Sequence, residues 1–160
     1  MSRRVVLGLG NLLNRDEGFG IHAVQVLQSC IDPEYPVECV DGGVLGMNLL
    51  PLIEECSHLL VLDAIDAGQA PGSVLELKQD QIPLFAGARL SEHQLGFQEV
   101  LGIALFRGSF PPHLHLVGVQ PQDLSFGIGL SPLVANSLPE VIKRAEAVLA
   151  KWESDSRMGW

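Results

Sequence analysis

Short apolar runs alternate with amphipathic segments along the chain, and this order predicts alternating strands and helices. A continuous apolar run is typical of a strand buried in a parallel sheet, whereas apolar side chains at helical spacing indicate a helix with one buried face. The predicted strands are Arg3–Leu9, Val37–Val40, His58–Leu62, Ser73–Gln79 and His113–Val119. The predicted helices are Gly18–Cys30, Met47–Cys56, His93–Phe106 and the segment from Ser131 to about Trp152.

The order of these elements predicts an α/β fold, a three-layer α/β/α sandwich with a mostly parallel twisted sheet. Ser73–Gln79 alternates apolar and polar residues, so we expect it to be an antiparallel strand at the sheet edge. Pro139 should kink or restart the last helix. We expect a single domain over residues 1–160, with 153–160 as a frayed tail.

Composition restricts the partners and the compartment. The chain has 10 basic and 19 acidic residues and no basic stripe, which argues against nucleic-acid binding. No apolar run is long enough for a membrane span, and the apolar start breaks at once into Gly8-Leu9-Gly10, so we expect neither membrane insertion nor secretion. The three cysteines, Cys30, Cys39 and Cys56, are widely spaced and predict reduced thiols in a cytoplasmic protein. We further expect a monomer.

Several common site motifs are absent. A dinucleotide fingerprint after the first strand would need glycine at position 13, which is Leu13, and Asp16 and Glu17 would repel a pyrophosphate. The sequence also lacks the G-K-[ST] of a P-loop, the G-x-S-x-G of a serine nucleophile and the H-E-x-x-H of a zincin.

Three ionisable residues remain at junctions between predicted elements. Glu17 precedes the first helix, Asp63 follows the third strand, and His93 begins the helix that ends at Phe106. If the first and third strands are neighbours, we expect these side chains to converge at the carboxyl edge of the sheet. Two carboxylates and one imidazole, with open positions, suit a borderline divalent metal.

Each of these residues also has a purely structural interpretation. Glu17 could be a carboxylate favoured by a helix dipole, Asp63 a turn or cap, and His93 a histidine bonded to a backbone carbonyl. We interpret Asp16 as a helix cap that points away from any metal. His113 and His115 share one strand face and could bind metal, although exposed edge-strand residues are the simpler interpretation.

Four motifs in order, at proper spacing, resemble the hydrogenase maturation endopeptidase family. They are Gly8-x-Gly10-Asn11-x-x-x-x-Asp16-Glu17-Gly18-x-Gly20, Asp41-Gly42-Gly43-x-x-Gly46, Asp63-Ala64 and His93-Gln94. The resemblance extends from about Val5 to Leu149, and His113–Pro121 and Ile128–Pro132 also fit it.

The resemblance implies an enzyme that trims a C-terminal extension from the large-subunit precursor of a nickel–iron hydrogenase after nickel insertion. It places the metal ligands at Glu17, Asp63 and His93, and a functional aspartate at Asp41. For Asp41, a strand-end turn that needs the following glycines is an equal alternative. Val44 stands where many relatives carry threonine, so a hydroxyl role there is not expected.

The function implied is that of a nickel-dependent, substrate-specific endopeptidase. Because the chain offers three ligands and no thiolate cluster, we expect the nickel to arrive bound to the precursor, with surrogate divalent metals also accepted. Glu17 or Asp41 would be the general base, and an Asp41–Asp63 pair is a weaker chemical alternative. A non-catalytic nickel-checking chaperone and a small-molecule hydrolase on the same fold are the rival functions.

Overall fold

Six strands and four helices form the chain in the computed structural model, which describes residues 3–43, 46–81, 89–90 and 95–158. The strands are β1 (Arg4–Leu9), β2 (Glu38–Gly43), β3 (His58–Asp66), β4 (Val74–Lys78), β5 (Arg89–Leu90) and β6 (His113–Val119). The helices are α1 (Phe19–Cys30), α2 (Leu50–Glu55), α3 (Leu95–Phe106) and α4 (Pro132–Arg157). Short 3₁₀ turns cover Arg15–Gly18, Gly46–Leu49 and Gln79–Gln81.

The sheet has the strand order β2-β1-β3-β6-β4. The first four of these strands are parallel, and β4 pairs antiparallel with β6 at the edge. The two-residue β5 pairs antiparallel with the end of β3. The predicted α/β/α sandwich with one antiparallel edge strand is therefore confirmed.

Two apolar cores lie on the two faces of the sheet, because successive side chains of a strand point to opposite sides. Leu7 and Val61 face the layer of α2 and α3, whereas Val6 and Leu60 face the layer of α1 and α4. All four are fully buried. Burial of one such side chain stabilises the fold by about 1.5–3 kcal/mol, so the continuous apolar runs seen in the sequence hold the central strands in place.

Two strands are longer than the sequence predicts. β2 continues through Asp41 to Gly43, and β3 continues through Asp63 to Asp66. The extension of β3 follows from its neighbours, because Ala64 pairs with Val119 of β6 and the residues after it pair with β5. Asp63 thus lies inside the strand, and the prediction that it follows the strand end is wrong.

The helices also differ from expectation at their ends. α4 runs without interruption through Pro139, which is exposed, and continues past Trp152 to Arg157. A proline ring on the solvent side removes one backbone hydrogen bond, and the neighbouring buried side chains still hold this helix on the sheet. The predicted restart at Pro139 is wrong. Within the described part of the chain, no helix combines the length and apolarity needed to cross a membrane.

Candidate active site

Asp63 is a carboxylate in the middle of the core strand β3. Its residue is 0% exposed, and Oδ1 accepts a hydrogen bond from the Ala64 N–H at 2.8 Å. By alternation its side chain lies on the α2 and α3 face of the sheet, with Val61 and Ile65. Its neighbour on β6 is Gly118, where an added Cβ would approach the Asp63 carbonyl oxygen to 2.4 Å. The strand therefore needs glycine beside this aspartate.

Glu17 lies at the carboxyl end of β1, in the 3₁₀ turn before α1, and is 5% exposed. The turn folds back on the strand end because the Asn11 N–H donates to the Glu17 carbonyl oxygen at 3.1 Å. Gly10 makes this approach possible: its φ is +143°, and an added Cβ would lie 1.9 Å from that same oxygen. The glycine-rich turn thus fixes Glu17 over the sheet edge.

The start of α1 is held equally tightly against the strands. An added Cβ at Gly20 would lie 2.2 Å from both the Leu9 and the Leu62 carbonyl oxygens. β1 and β3 are paired neighbours, with Gly8 opposite Leu62. The adjacency on which the sequence argument depended is therefore present, and it brings Glu17 near β3.

The charge of Glu17 acts on the buried Asp63 carboxylate. Burial raises the pKa of Asp63 well above its usual range, and the negative charge of Glu17 raises it further, while the Ala64 N–H acts in the opposite direction. A buried carboxylate beside another one favours a shared proton or a bound cation, because either removes the repulsion. The use of these two carboxylates as metal ligands stays a prediction.

Asp16 does not cap the first helix, as the sequence indicated it would. It is fully buried, and its carboxylate accepts hydrogen bonds from the backbone N–H groups of Gln122, Asp123 and Ser131 and from the Ser131 hydroxyl. Each bond is 2.7–2.9 Å long. Its role is to anchor the loop after β6, and the sequence held no signal for this because the partners lie more than a hundred residues away.

Asp41 does not meet Asp63. In the register, Asp41 of β2 pairs with Gly8 of β1, so β1 lies between the two aspartates. Asp41 is on the α1 and α4 face and Asp63 on the other, with backbones about 10 Å apart at ordinary strand spacing. The Asp41 carboxylate is exposed and accepts the Gly43 N–H at 2.9 Å, as a strand-end turn requires. A proton-sharing aspartate pair is not formed here.

His93 lies outside the described residues, so its position relative to the carboxylates stays a prediction. Among the residues the structure describes, no three His, Cys, Asp or Glu side chains form a group that could hold a metal ion. A three-ligand site that uses Glu17 and Asp63 therefore depends on a residue such as His93.

His113 and His115 lie near the start of β6, towards the amino-terminal ends of the parallel strands. β6 is an inner strand between β3 and β4, so the interpretation of His113 and His115 as edge-strand residues is wrong. His113 begins β6, about 16 Å along the strand from the register of Asp63. It stacks on His58 with ring centroids 4.3 Å apart, and His115 bonds to Glu76 at 2.8 Å. Neither residue reaches the carboxylate pair.

Comparison with known proteins agrees with this fold. The model of the hydrogenase maturation protease family matches residues 21–148. The chain is 42% identical over 152 residues to the hydrogenase expression/formation protein HupD of Rhizobium leguminosarum bv. viciae, covering 94% of this chain and 75% of the relative. It is 40% identical over 149 residues to the hydrogenase 2 maturation protease of Escherichia coli strain K12, covering 92% and 90%.

A solved structure gives the same result. The hydrogenase maturating endopeptidase HybD from E. coli superposes with a TM-score of 0.84 at 38% identity, covering 93% of both chains. The fold is therefore the one that this maturation endopeptidase has. The chain belongs to the hydrogenase maturation protease family.

Proposed function

We propose that the protein is an endopeptidase that removes the C-terminal extension from the nickel-loaded precursor of a nickel–iron hydrogenase large subunit. The observation that carries the proposal is the buried carboxylate pair, Glu17 with Asp63, in a chain whose relatives are named hydrogenase maturation proteases. We propose further that the enzyme recognises the nickel that the substrate carries.

The donor set supports a metal-dependent recognition step. A divalent cation between Glu17 and Asp63 would remove their mutual repulsion and favour the ionised form of Asp63. His93 is the third proposed ligand, and chain length permits it: Leu90 pairs with Ile65, two residues beyond Asp63. Three residues of extended chain span at most about 11 Å, so the length of the chain between Leu90 and His93 is compatible with the proposal.

Two carboxylates and one imidazole leave coordination positions open. In the proposal these positions are filled by cysteine sulfurs of the precursor, which bring the nickel with them. A precursor without nickel would then meet two repelling carboxylates and no shared ligand, so the enzyme would not cleave it. This accounts for substrate specificity without a resident cofactor.

The hydrolytic step requires a polarised carbonyl, a base and a protonated leaving group. Nickel on the substrate would polarise the scissile carbonyl, and Glu17 would take a proton from the attacking water. The C–N bond then breaks as that proton passes to the departing amine. Asp41 is the second candidate base, but its exposed carboxylate is on the other face of the sheet from Asp63 and accepts the Gly43 N–H.

Precursor cleavage tests the proposal. Purified protein is mixed with the large-subunit precursor of the same source organism, nickel-loaded or nickel-free, and the masses of the products are measured. We expect one shortened product from the loaded precursor only. Binding without shortening would indicate the chaperone function instead, and no interaction would leave the small-molecule hydrolase.

Variants at matched folding assign the ligands. We expect His93→Ala to lower the cleavage rate by roughly 100-fold, as lost metal-site interactions commonly do, while His113→Ala changes it little. Circular dichroism confirms the fold of both variants. A fully active His93→Ala enzyme would contradict the proposed ligand set.

We also propose that the enzyme works as a monomer in the cytoplasm. All three cysteines are free thiols, which is typical of a reducing compartment. Sedimentation velocity and fractionation of the source cells test the two statements separately.

A further inference from the structure

A group of apolar side chains stands out from the surface beside the candidate site. We call it the apolar platform: Leu12, Leu13, Leu124, Phe126 and Ile128. Phe126 is 81% exposed and Ile128 is 80% exposed, so most of both side chains is in contact with solvent. Contiguous exposed apolar surface commonly marks an interaction site.

Backbone hydrogen bonds fix the two loops of the platform to each other. Gly127 donates to the Leu13 carbonyl at 2.8 Å and accepts from the Arg15 N–H at 3.1 Å, forming an isolated parallel bridge. The Asn14 side chain donates to the Leu124 carbonyl at 3.1 Å. The apolar side chains are therefore presented on a fixed backbone, which lowers the entropic cost of binding a partner.

The platform is continuous with the carboxylate site. Arg15 and Asp16, which bond to the loop after β6, directly precede Glu17. On the other side of Glu17, an added Cβ at Gly18 would lie 3.1 Å from Cδ2 of Leu12. A polypeptide bound with its scissile bond at Glu17 would therefore have the platform beside it.

Charge favours an apolar segment over an acidic or basic one. The chain carries a net charge of −9, yet the charged residues in these loops offset one another: Arg15 Nε lies 3.7 Å from Asp123 Oδ2. The Asp16 carboxylate is buried and fully occupied by hydrogen-bond donors. The platform thus lacks a charge that would select an oppositely charged partner.

We propose that the apolar platform binds an extended, apolar segment of the precursor that adjoins the scissile bond. This inference rests on the proposed function, and it identifies a recognition element that does not depend on nickel. Phe126 is its main anchor, since aromatic side chains commonly contribute most at interfaces. The platform would bind the substrate, and the carboxylates would coordinate the nickel that the substrate carries.

Binding of the precursor to a double variant tests the inference. Phe126→Ala/Ile128→Ala is compared with Phe106→Ala, which removes a phenylalanine that is 93% exposed at the end of α3, away from the platform. Affinity for nickel-loaded and nickel-free precursor is measured by biolayer interferometry in a Glu17→Gln background. We expect the double variant to bind both forms about 10- to 100-fold more weakly and Phe106→Ala to stay within about twofold of the parent.

Cleavage kinetics separate this inference from the proposed function. With Glu17 intact, we expect KM to rise in the double variant far more than kcat falls. If the parent enzyme cleaves the precursor and the double variant does so with unchanged KM and affinity, the platform inference is wrong. If the parent fails to cleave but the double variant loses binding, the platform stands and the endopeptidase proposal falls.

A second copy of this chain is the other possible occupant. Sedimentation equilibrium of the parent and the double variant decides this point. A dimer that dissociates on Phe126→Ala/Ile128→Ala would overturn the inference, whereas monomers in both cases support it. Thermal unfolding midpoints within about 2 °C of the parent show that the exposed substitutions leave the fold intact.

Discussion

Asp16 and Ser131 are 115 residues apart in the chain and are joined by two hydrogen bonds. The Ser131 N–H donates to Oδ1 and its hydroxyl donates to Oδ2, both at 2.7 Å. Ser131 is the N-cap residue of α4, so the carboxylate next to Glu17 also fixes the start of the longest helix. The local geometry of the candidate site is therefore coupled to the packing of α4.

Replacement of Asp16 should strongly destabilise the protein. Asp16→Ala leaves three part-buried backbone N–H groups without their acceptor, which we expect to lower the free energy of unfolding by about 3–5 kcal/mol. Urea unfolding followed by circular dichroism measures the change. Asp123→Asn is the control, because this side chain is half-exposed on the anchored loop, and its midpoint should stay near the parent value. Equal stability of Asp16→Ala and the parent would contradict the anchoring role.

Reagents directed at thiols and at serine nucleophiles should not inhibit cleavage. Burial raises the pKa of Cys39 and raises that of Cys56 to about 11, so neither is a ready thiolate at neutral pH. Cys56 is buried and donates to the Leu52 carbonyl at 3.0 Å. Iodoacetamide should modify the exposed Cys30 in the folded protein and leave the cleavage rate unchanged. Loss of activity without unfolding would point to a cysteine nucleophile.

The isolated enzyme should bind nickel only weakly. Glu17 and Asp63, with His93 as the proposed third donor, provide no thiolate, and the remaining positions would be filled by water. Isothermal titration calorimetry should therefore give a Kd in the micromolar range or weaker, with Asp63→Asn weaker still. A nanomolar Kd for nickel alone would mean that the metal is a resident cofactor, against the idea that the precursor supplies it.

Acid should weaken the fold through His58. Burial, followed by the charges of His113 and Arg4, lowers the pKa of His58 to about 4, although Asp155 acts in the opposite direction. Between pH 6.5 and 4 the unfolded chain binds a proton at this residue and the folded chain does not. Stability is therefore full above about pH 6.5 and falls as the pH drops towards 4, by about 1–2 kcal/mol because the ring is only partly buried.

The comparison for this prediction is His58→Gln, which cannot titrate. Urea midpoints of parent and variant are measured at several pH values from 7 to 4. The parent should lose stability more steeply, so that the difference between the two proteins changes with pH. Parallel curves would show that His58 does not contribute to the acid sensitivity.

Much of the site follows from the sequence because its parts lie at the ends of parallel neighbours. The apolar runs before Gly8 and Asp63 identify buried strands, and adjacent parallel strands bring their carboxyl ends together. The adjacency of the two strands therefore predicts, from the sequence alone, that Glu17 lies near Asp63. The alternating pattern of Ser73–Gln79 separately predicts the antiparallel edge strand.

The remaining features depend on contacts between distant segments. The burial of Asp16 follows from hydrogen bonds to a loop that its own sequence neighbourhood does not reveal. The stack of His58 on His113 arises because β3 and β6 start in register, which no local pattern reports. The length of β3 was underestimated for the same reason: its last residues continue as strand only because β5 and β6 pair with them.

The position of Asp63 has a consequence for laboratory evolution of this enzyme. β3 is buried from Leu59 to Ile65, so an ionised carboxylate in its middle weakens the fold that carries it. A screen that rewards heat resistance alone would be expected to enrich asparagine or an apolar residue at position 63, and so to remove a carboxylate that the proposed function requires. Selection for thermal stability should therefore be combined with an assay of precursor processing, since a substitution at this residue that raises stability is expected to lower activity.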